Sequence, residues 1–208
     1  MESANGQEVY AAGAGVMLHT EDGGDNWEYF DSVSVFNQGM ALINDEAILL
    51  SGVKSIIRKD LNTKEESVIH GPVPGIFESI HIAPSGRWIA YNSTDYYMLS
   101  DDEGMTWDSF YIERFSNGID MVQNGDLFMR IRGKLLLSKD EGSSWKEIYT
   151  ANVARDLRAI SIVDSTIYMM ESTRNLQKSS DYGQTWDSIA TPTGFSMIVS
   201  SMHFINHC

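Results

Sequence analysis

The sequence predicts an all-β chain, a single five-bladed β-propeller, on three observations. An eight-residue pattern, S/T-x-D-x-G-x-x-W, occurs four times in the 208 residues: Thr20 to Trp27, Ser100 to Trp107, Ser138 to Trp145 and Ser179 to Trp186. Its aspartates, Asp22, Asp102, Asp140 and Asp181, lie 80, 38 and 41 residues apart, so the first interval holds two repeats. A repeat of about 40 residues is the size of a four-stranded propeller blade. Period-two alternation of small or polar with large apolar residues recurs once per repeat, and no stretch reads as a helix.

Each position of the pattern has a task in a tight β-hairpin. The Asp carboxylate accepts backbone N–H groups of the turn, and the Ser or Thr hydroxyl two residues earlier does so more weakly. The glycine supplies a backbone angle that a β-carbon disfavours. The tryptophans, Trp27, Trp107, Trp145 and Trp186, bury an apolar face while the indole N–H finds an acceptor. All of these tasks are structural. The pattern closely resembles the Asp-box (BNR) repeat of sialidases, sortilin-type receptors and photosystem assembly factors. That resemblance implies a β-propeller whose boxes sit on the outer rim, away from the ligand.

The missing box is expected near Asp60, with 54–60 as the strand entering its turn and 66–69 as the strand leaving; the carboxylate is kept, and the Gly and Trp are lost. The blades then run 34–71, 72–112, 113–150 and 151–192, with a first blade made of 7–33 plus 197–206. That first repeat has no inner strand of its own, and Ser201 to Ile205 shows the matching alternation. The C-terminal strand is therefore expected to complete the first blade and close the ring, which removes open sheet edges. The alternative is a fragment of a larger propeller or a strand exchanged between chains. In the inner strands the apolar set, Met40, Leu42, Ile80, Ile82, Ile119, Met121, Ile160, Ile162, Met202 and Phe204, is expected to pack between sheets. The small or polar set, including Gly39, Ala41, Ser79, Gly118, Ala159 and Ser161, is expected to face a central channel.

Three channel residues are not explained by size: His81, Asp120 and His203. Two imidazoles and an acid form a plausible transition-metal set. Bonds to channel waters are the expected explanation, with no metal and no cofactor.

The formal charge of −14 and pI near 4.6 argue against nucleic acid or an anionic membrane as partner. The lone cysteine, Cys208, rules out an internal disulfide, and no apolar run is long enough to span a bilayer. No signal peptide is visible at the N-terminus, which leaves the compartment open: cytoplasmic, or secreted after trimming.

The binding face is expected at the mouth opposite the Asp-box hairpins, lined by Phe36, Phe77, Tyr96, Phe115, Arg132, Arg155, Arg158 and Arg174. Aromatics with arginine at a rim suit a protein contact, with a saccharide as second choice. About half of these side chains are expected to plug the gaps between blades. Sialidases carry an early F/Y-R-I/L-P motif and three arginines around a Tyr–Glu pair. The nearest string here, Met129 to Arg132, lies mid-chain and lacks the proline. Acids such as Glu78, Asp95, Glu113, Asp156 and Glu171 leave a glycosidase formally open. The reading is a non-catalytic module that binds a protein partner; the alternative is a lectin or sialidase-like glycoside hydrolase.

Overall fold

The computed structural model describes residues 2–3, 7–34, 37–71, 73–94, 96–112, 116–151, 157–171 and 176–189. Among them are five four-stranded antiparallel sheets and no helix. Sheet 1 comprises β1 (Glu2–Ser3), β2 (Val9–Gly13), β3 (Val16–Thr20) and β4 (Glu28–Ser32). Sheet 2 comprises β5 (Asn37–Asn44), β6 (Ala47–Gly52), β7 (Ile56–Asp60) and β8 (Glu66–His70). Sheet 3 comprises β9 (Phe77–Ile82), β10 (Trp88–Asn92), β11 (Tyr96–Ser100) and β12 (Asp108–Tyr111). Sheet 4 holds β13 (Ser116–Met121), β14 (Leu127–Ile131), β15 (Lys134–Ser138) and β16 (Lys146–Thr150). Sheet 5 holds β17 (Leu157–Val163), β18 (Thr166–Glu171), β19 (Leu176–Ser179) and β20 (Asp187–Ile189). Each sheet is a simple meander, with strands adjacent in sequence paired in space.

The chain divides into two compact units, Met1–Ile112 with sheets 1 to 3 and Glu113–Cys208 with sheets 4 and 5. Within the first, the second strand of sheet 2 is apolar on both faces because a sheet lies on either side. In β6, Ile48 and Leu50 pack with Tyr10 and Met17 of sheet 1, while Leu49 packs with Phe77, Ile80 and Trp88 of sheet 3. A strand buried on both faces reads as a continuous apolar run, as Ala47-Ile48-Leu49-Leu50 does. Within the second unit, Phe128, Leu135 and Leu137 of sheet 4 pack against Leu157, Ile167 and Met169 of sheet 5.

Three expectations are corrected here. The edge of β2 assigned to the C-terminal strand is occupied by β1, through Glu2↔Tyr10 and Ser3↔Val9. A hairpin with a short connection closes at little entropic cost, and two residues are too few to show a strand's alternation in the sequence. Residues 190–208, with Met202, His203 and Phe204, lie outside the described residues. Second, the small set of β5 serves sheet packing. Ala41 is buried in the core shared by sheets 2 and 3, and a β-carbon on Gly39 would lie 2.9 Å from Ser79 Cα and 3.1 Å from Ile80 N. Strands β5 and β9 approach so closely that only a hydrogen fits.

Third, Asp60 does not keep the box carboxylate. It is the last residue of β7 and pairs with Ala47, as Ser100 pairs with Trp88 and Ser138 with Leu127 at the start of their β-neighbours. Asp60 thus stands in the hydroxyl position of the other boxes. Its Oδ1 accepts the N–H groups of Asn62 and Thr63 at 3.0 and 2.8 Å, which caps a turn of different shape.

Candidate binding surface

The Asp-box hairpins join the third strand of a sheet to the fourth, and their carboxylates are fully employed inside the turn. In sheet 5, Asp181 Oδ1 accepts from Ser179 Oγ and Thr185 N, each at 2.8 Å, and Oδ2 accepts from Thr185 Oγ1 at 2.6 Å. Ser179 Oγ in turn accepts Gly183 N–H at 2.8 Å. The same cage forms around Asp140 with Ser138 and Ser144, around Asp102 with Ser100 and Thr106, and around Asp22 with Thr20 and Asn26.

The residue before each Trp, Asn26, Thr106, Ser144 or Thr185, therefore donates twice to the aspartate. The sequence reading left that position as x, although a hydroxyl or amide stands there in all four copies. Donors surrounding an anion favour its charged form. The Thr185 hydroxyl, foremost, holds Asp181 down to about 2, and the Asn26 backbone N–H leads the same effect at Asp22. Asp102 and Asp140 are lowered too, chiefly by the hydroxyls of Thr106 and Ser144. Such carboxylates remain ionised and hold no proton to give, so they are poor general acids.

Two of the box glycines, Gly104 and Gly183, do more than adopt a left-handed angle. A β-carbon on Gly183 would lie 2.7 Å from Ile148 Cδ1, and one on Gly104 2.4 Å from Ile69 Cγ2. Ile148 and Ile69 belong to the fourth strand of the preceding sheet, so each hairpin tip presses on its neighbour. Trp186 Nε1 donates to Ile148 O at 2.8 Å, and the Trp107 ring lies 5.7 Å from His70 of β8. Trp145 is half-buried, and Trp27 is 40% exposed.

The predicted mouth residues separate under the structure. Phe77 is fully buried in the core of sheets 2 and 3, edge-on to His70, so it is a packing plug and offers nothing to a ligand. Tyr96 opens β11 and is 41% exposed. Arg132 is exposed in the β14–β15 turn with φ of 41°. Arg158 lies on β17, and Phe36, Phe115, Arg155 and Arg174 fall outside the described residues.

Of the channel set, half-buried His81 sits on β9, while Asp120 on β13 pairs with Arg130 Nη2 at 3.1 Å. A cross-strand guanidinium therefore accounts for the Asp120 charge. Among the described residues no cluster of three His, Cys, Asp or Glu side chains could hold a metal.

Of the acids offered for glycosidase chemistry, Glu78 is exposed, and Glu171 is buried and accepts the Tyr149 hydroxyl. Burial and then that hydrogen bond push the Tyr149 phenol up, so it stays protonated at neutral pH. Tyr182 donates to Asp126 at 2.6 Å in the same way. Sequence reading missed both pairs, since each joins residues on different sheets. A groove of about 820 Å³ lies between the box hairpins of sheets 4 and 5, lined by Lys139, Trp145, Lys146, Ile148 and Tyr182 among others.

Among solved structures, the chain is similar to YCF48 bound to D1 peptide, with TM-score 0.67 and 19% identity over 88% of this chain and 64% of that one. It thus spans 64% of that relative's length. It is also similar to YCF48 from Cyanidioschyzon merolae, with TM-score 0.67 and 17% identity over 89% of this chain and 67% of the other. A nidogen/laminin complex matches with TM-score 0.66 and 15% identity, over 87% and 77% of the two chains. No curated protein matches. The fold is that of a five-bladed β-propeller, with one four-stranded sheet per blade. The model of the family "Photosynthesis system II assembly factor YCF48" matches residues 2–207, and the chain belongs to that family of BNR-repeat proteins.

Proposed function

We propose that the chain is a non-catalytic binding module that takes a protein partner at the loops opposite its Asp-box hairpins. The observation that carries this reading is the family relative of the same fold whose structure is of YCF48 bound to D1 peptide, a protein segment.

Local chemistry supports it. A sialidase needs arginines free to grip a substrate carboxylate. Here Arg58, Arg87 and Arg130 face Asp60, Asp101 and Asp120 at 3.8, 2.6 and 3.1 Å. The box aspartates are caged and hold no proton for a general acid to give. Of the expected mouth residues, Tyr96 and Arg132 are exposed. Aromatic and arginine side chains are the usual anchors of a protein contact.

Immobilised chain should retain one protein at near-stoichiometric level from a cell extract, and Arg132→Glu with Tyr96→Ala should reduce that capture. Turnover of a chromogenic glycoside, or binding confined to a glycan array, would replace this reading with the lectin or hydrolase one.

A further inference from the structure

Outer strands of a sheet present unpaired backbone N–H and C=O groups, and proteins blunt them with bulges, lysines or prolines. Three outer strands here are blunted. The pairing of β4, β8 and β16 with its inner neighbour shifts register, at Met17/Leu18, Ile56/Ile57 and Leu135/Leu136. A bulge bends and twists such an edge away from flat pairing.

Strand β12 differs. It pairs with β11 without interruption, Tyr96↔Tyr111, Tyr97↔Phe110, Met98↔Ser109 and Leu99↔Asp108. It contains no Lys or Pro, and all four residues are exposed. Its apolar side chains stand in the open, with Tyr111 66% and Phe110 38% exposed. Their rings are already ordered: Tyr111 lies edge-on to Tyr96 at 5.7 Å, and Phe110 stacks on Tyr97 at 5.0 Å. Because successive residues point to opposite faces, an added strand would meet an aromatic ring on each side of the sheet. At the other end of β12 stand Asp108 and the box acids Asp102 and Glu103.

We propose that the free edge of β12 is a docking site for an extended peptide of a partner protein, which adds as a fifth strand to sheet 3. Only an extended backbone satisfies the unpaired groups of a strand edge. The aromatic rings call for large apolar side chains at the middle of the peptide, and the acids call for Lys or Arg at the end lying beside Asp108. The inference rests on the reading that the chain binds a protein, and adds a second surface, apart from the mouth and from Arg132, with the kind of segment it takes.

The test uses the full chain and a blocked peptide of alternating valine and tyrosine that ends in two lysines, titrated by calorimetry. Binding should weaken by about tenfold or more when alternate peptide nitrogens are methylated, since this removes the pairing N–H groups and leaves the side chains. Phe110→Lys with Tyr111→Lys should weaken it similarly, and exchange of the lysines for glutamates should weaken it too. Arg132→Glu should leave it unchanged. Equal binding of the methylated peptide, or full binding to the β12 variant, overturns the proposal. Sensitivity to Arg132→Glu alone would move the peptide to the mouth, overturning the edge site and keeping the protein-binding reading. Dimerisation that Phe110→Lys abolishes, with no peptide bound, would assign the edge to a second copy and overturn the proposal as well.

Discussion

The hairpin of sheet 2 and the hairpin of sheet 5 close the same junction, third strand to fourth, with different chemistry. In sheet 5 a caged aspartate shapes the turn, and its flanking residues reach the preceding sheet: Trp186 to the Ile148 carbonyl, Tyr182 to Asp126, Gly183 against Ile148. In sheet 2 the Gly and Trp are gone. There Lys59, almost fully buried, donates to Asp31 Oδ2 at 2.6 Å, Ser32 O at 3.2 Å and Lys64 O at 2.9 Å, with Glu66 Oε1 at 3.5 Å. Lys64 Nζ reaches back to Phe30 O at 2.8 Å. Asp31, Ser32 and Phe30 belong to β4 of the preceding sheet. What persists between the two hairpins is the tie to the neighbouring sheet. The box is one way of making it, and it can decay where a buried ammonium takes over.

The largest effect expected from this comparison is at a box glycine pressed on its neighbour. Gly104→Ala places a methyl 2.4 Å from Ile69 Cγ2 and 2.8 Å from the Trp88 ring, at φ of 82°. Overpacking added to backbone strain should cost about 3–4 kcal/mol in urea unfolding. Gly24→Ala meets nothing closer than 3.7 Å, so it should cost only about 1 kcal/mol. Equal costs would mean that turn geometry alone selects glycine.

Next comes the substitute tie. Lys59→Ala leaves Asp31 and Glu66 facing each other without their cation and should cost about 3 kcal/mol. Lys59→Met, which keeps the apolar stem and removes the charge, together with Asp31→Asn should recover most of that loss. If Lys59→Ala is tolerated, the blade 2 hairpin is held by its turn alone.

A smaller effect isolates the cage. Thr185→Val removes one hydroxyl donor from Asp181 at nearly constant volume and should cost about 1 kcal/mol. The cage also sets an acid limit. Asp181 has its folded value lowered from 3.8 to about 2, so its contribution is complete above the ordinary value and disappears as pH falls through about 2. Stability from this source should be flat between about pH 5 and 8 and decline below about pH 4, with Asp181→Asn flattening the decline. Loss between about pH 5 and 7 would have to come from other groups.

The five-sheet architecture was legible because each box repeats its chemistry locally, within eight residues, at intervals of about 40 residues or twice that, and because one alternating strand recurs per repeat. Contacts between sheets were not. The tight approach of Gly39 to β9, the plug made by Phe77 and the ammonium of Lys59 all depend on which strands become neighbours. Asp60 was misread because it keeps the carboxylate but stands two positions earlier in the strand register, which only pairing reveals. The unguarded edge of β12 was hidden for the same reason, since a bulge belongs to a pair of strands.

The most direct test is native-state hydrogen exchange on Trp186→Phe, which removes the indole N–H while keeping an aromatic ring. If box hairpins tie sheets together, amides of β16 in the preceding sheet, around Ile148, should exchange about tenfold faster or more, while those of β17 and β18 change little. Faster exchange confined to β19 and β20 would show that the box merely closes its own turn, contrary to the account given.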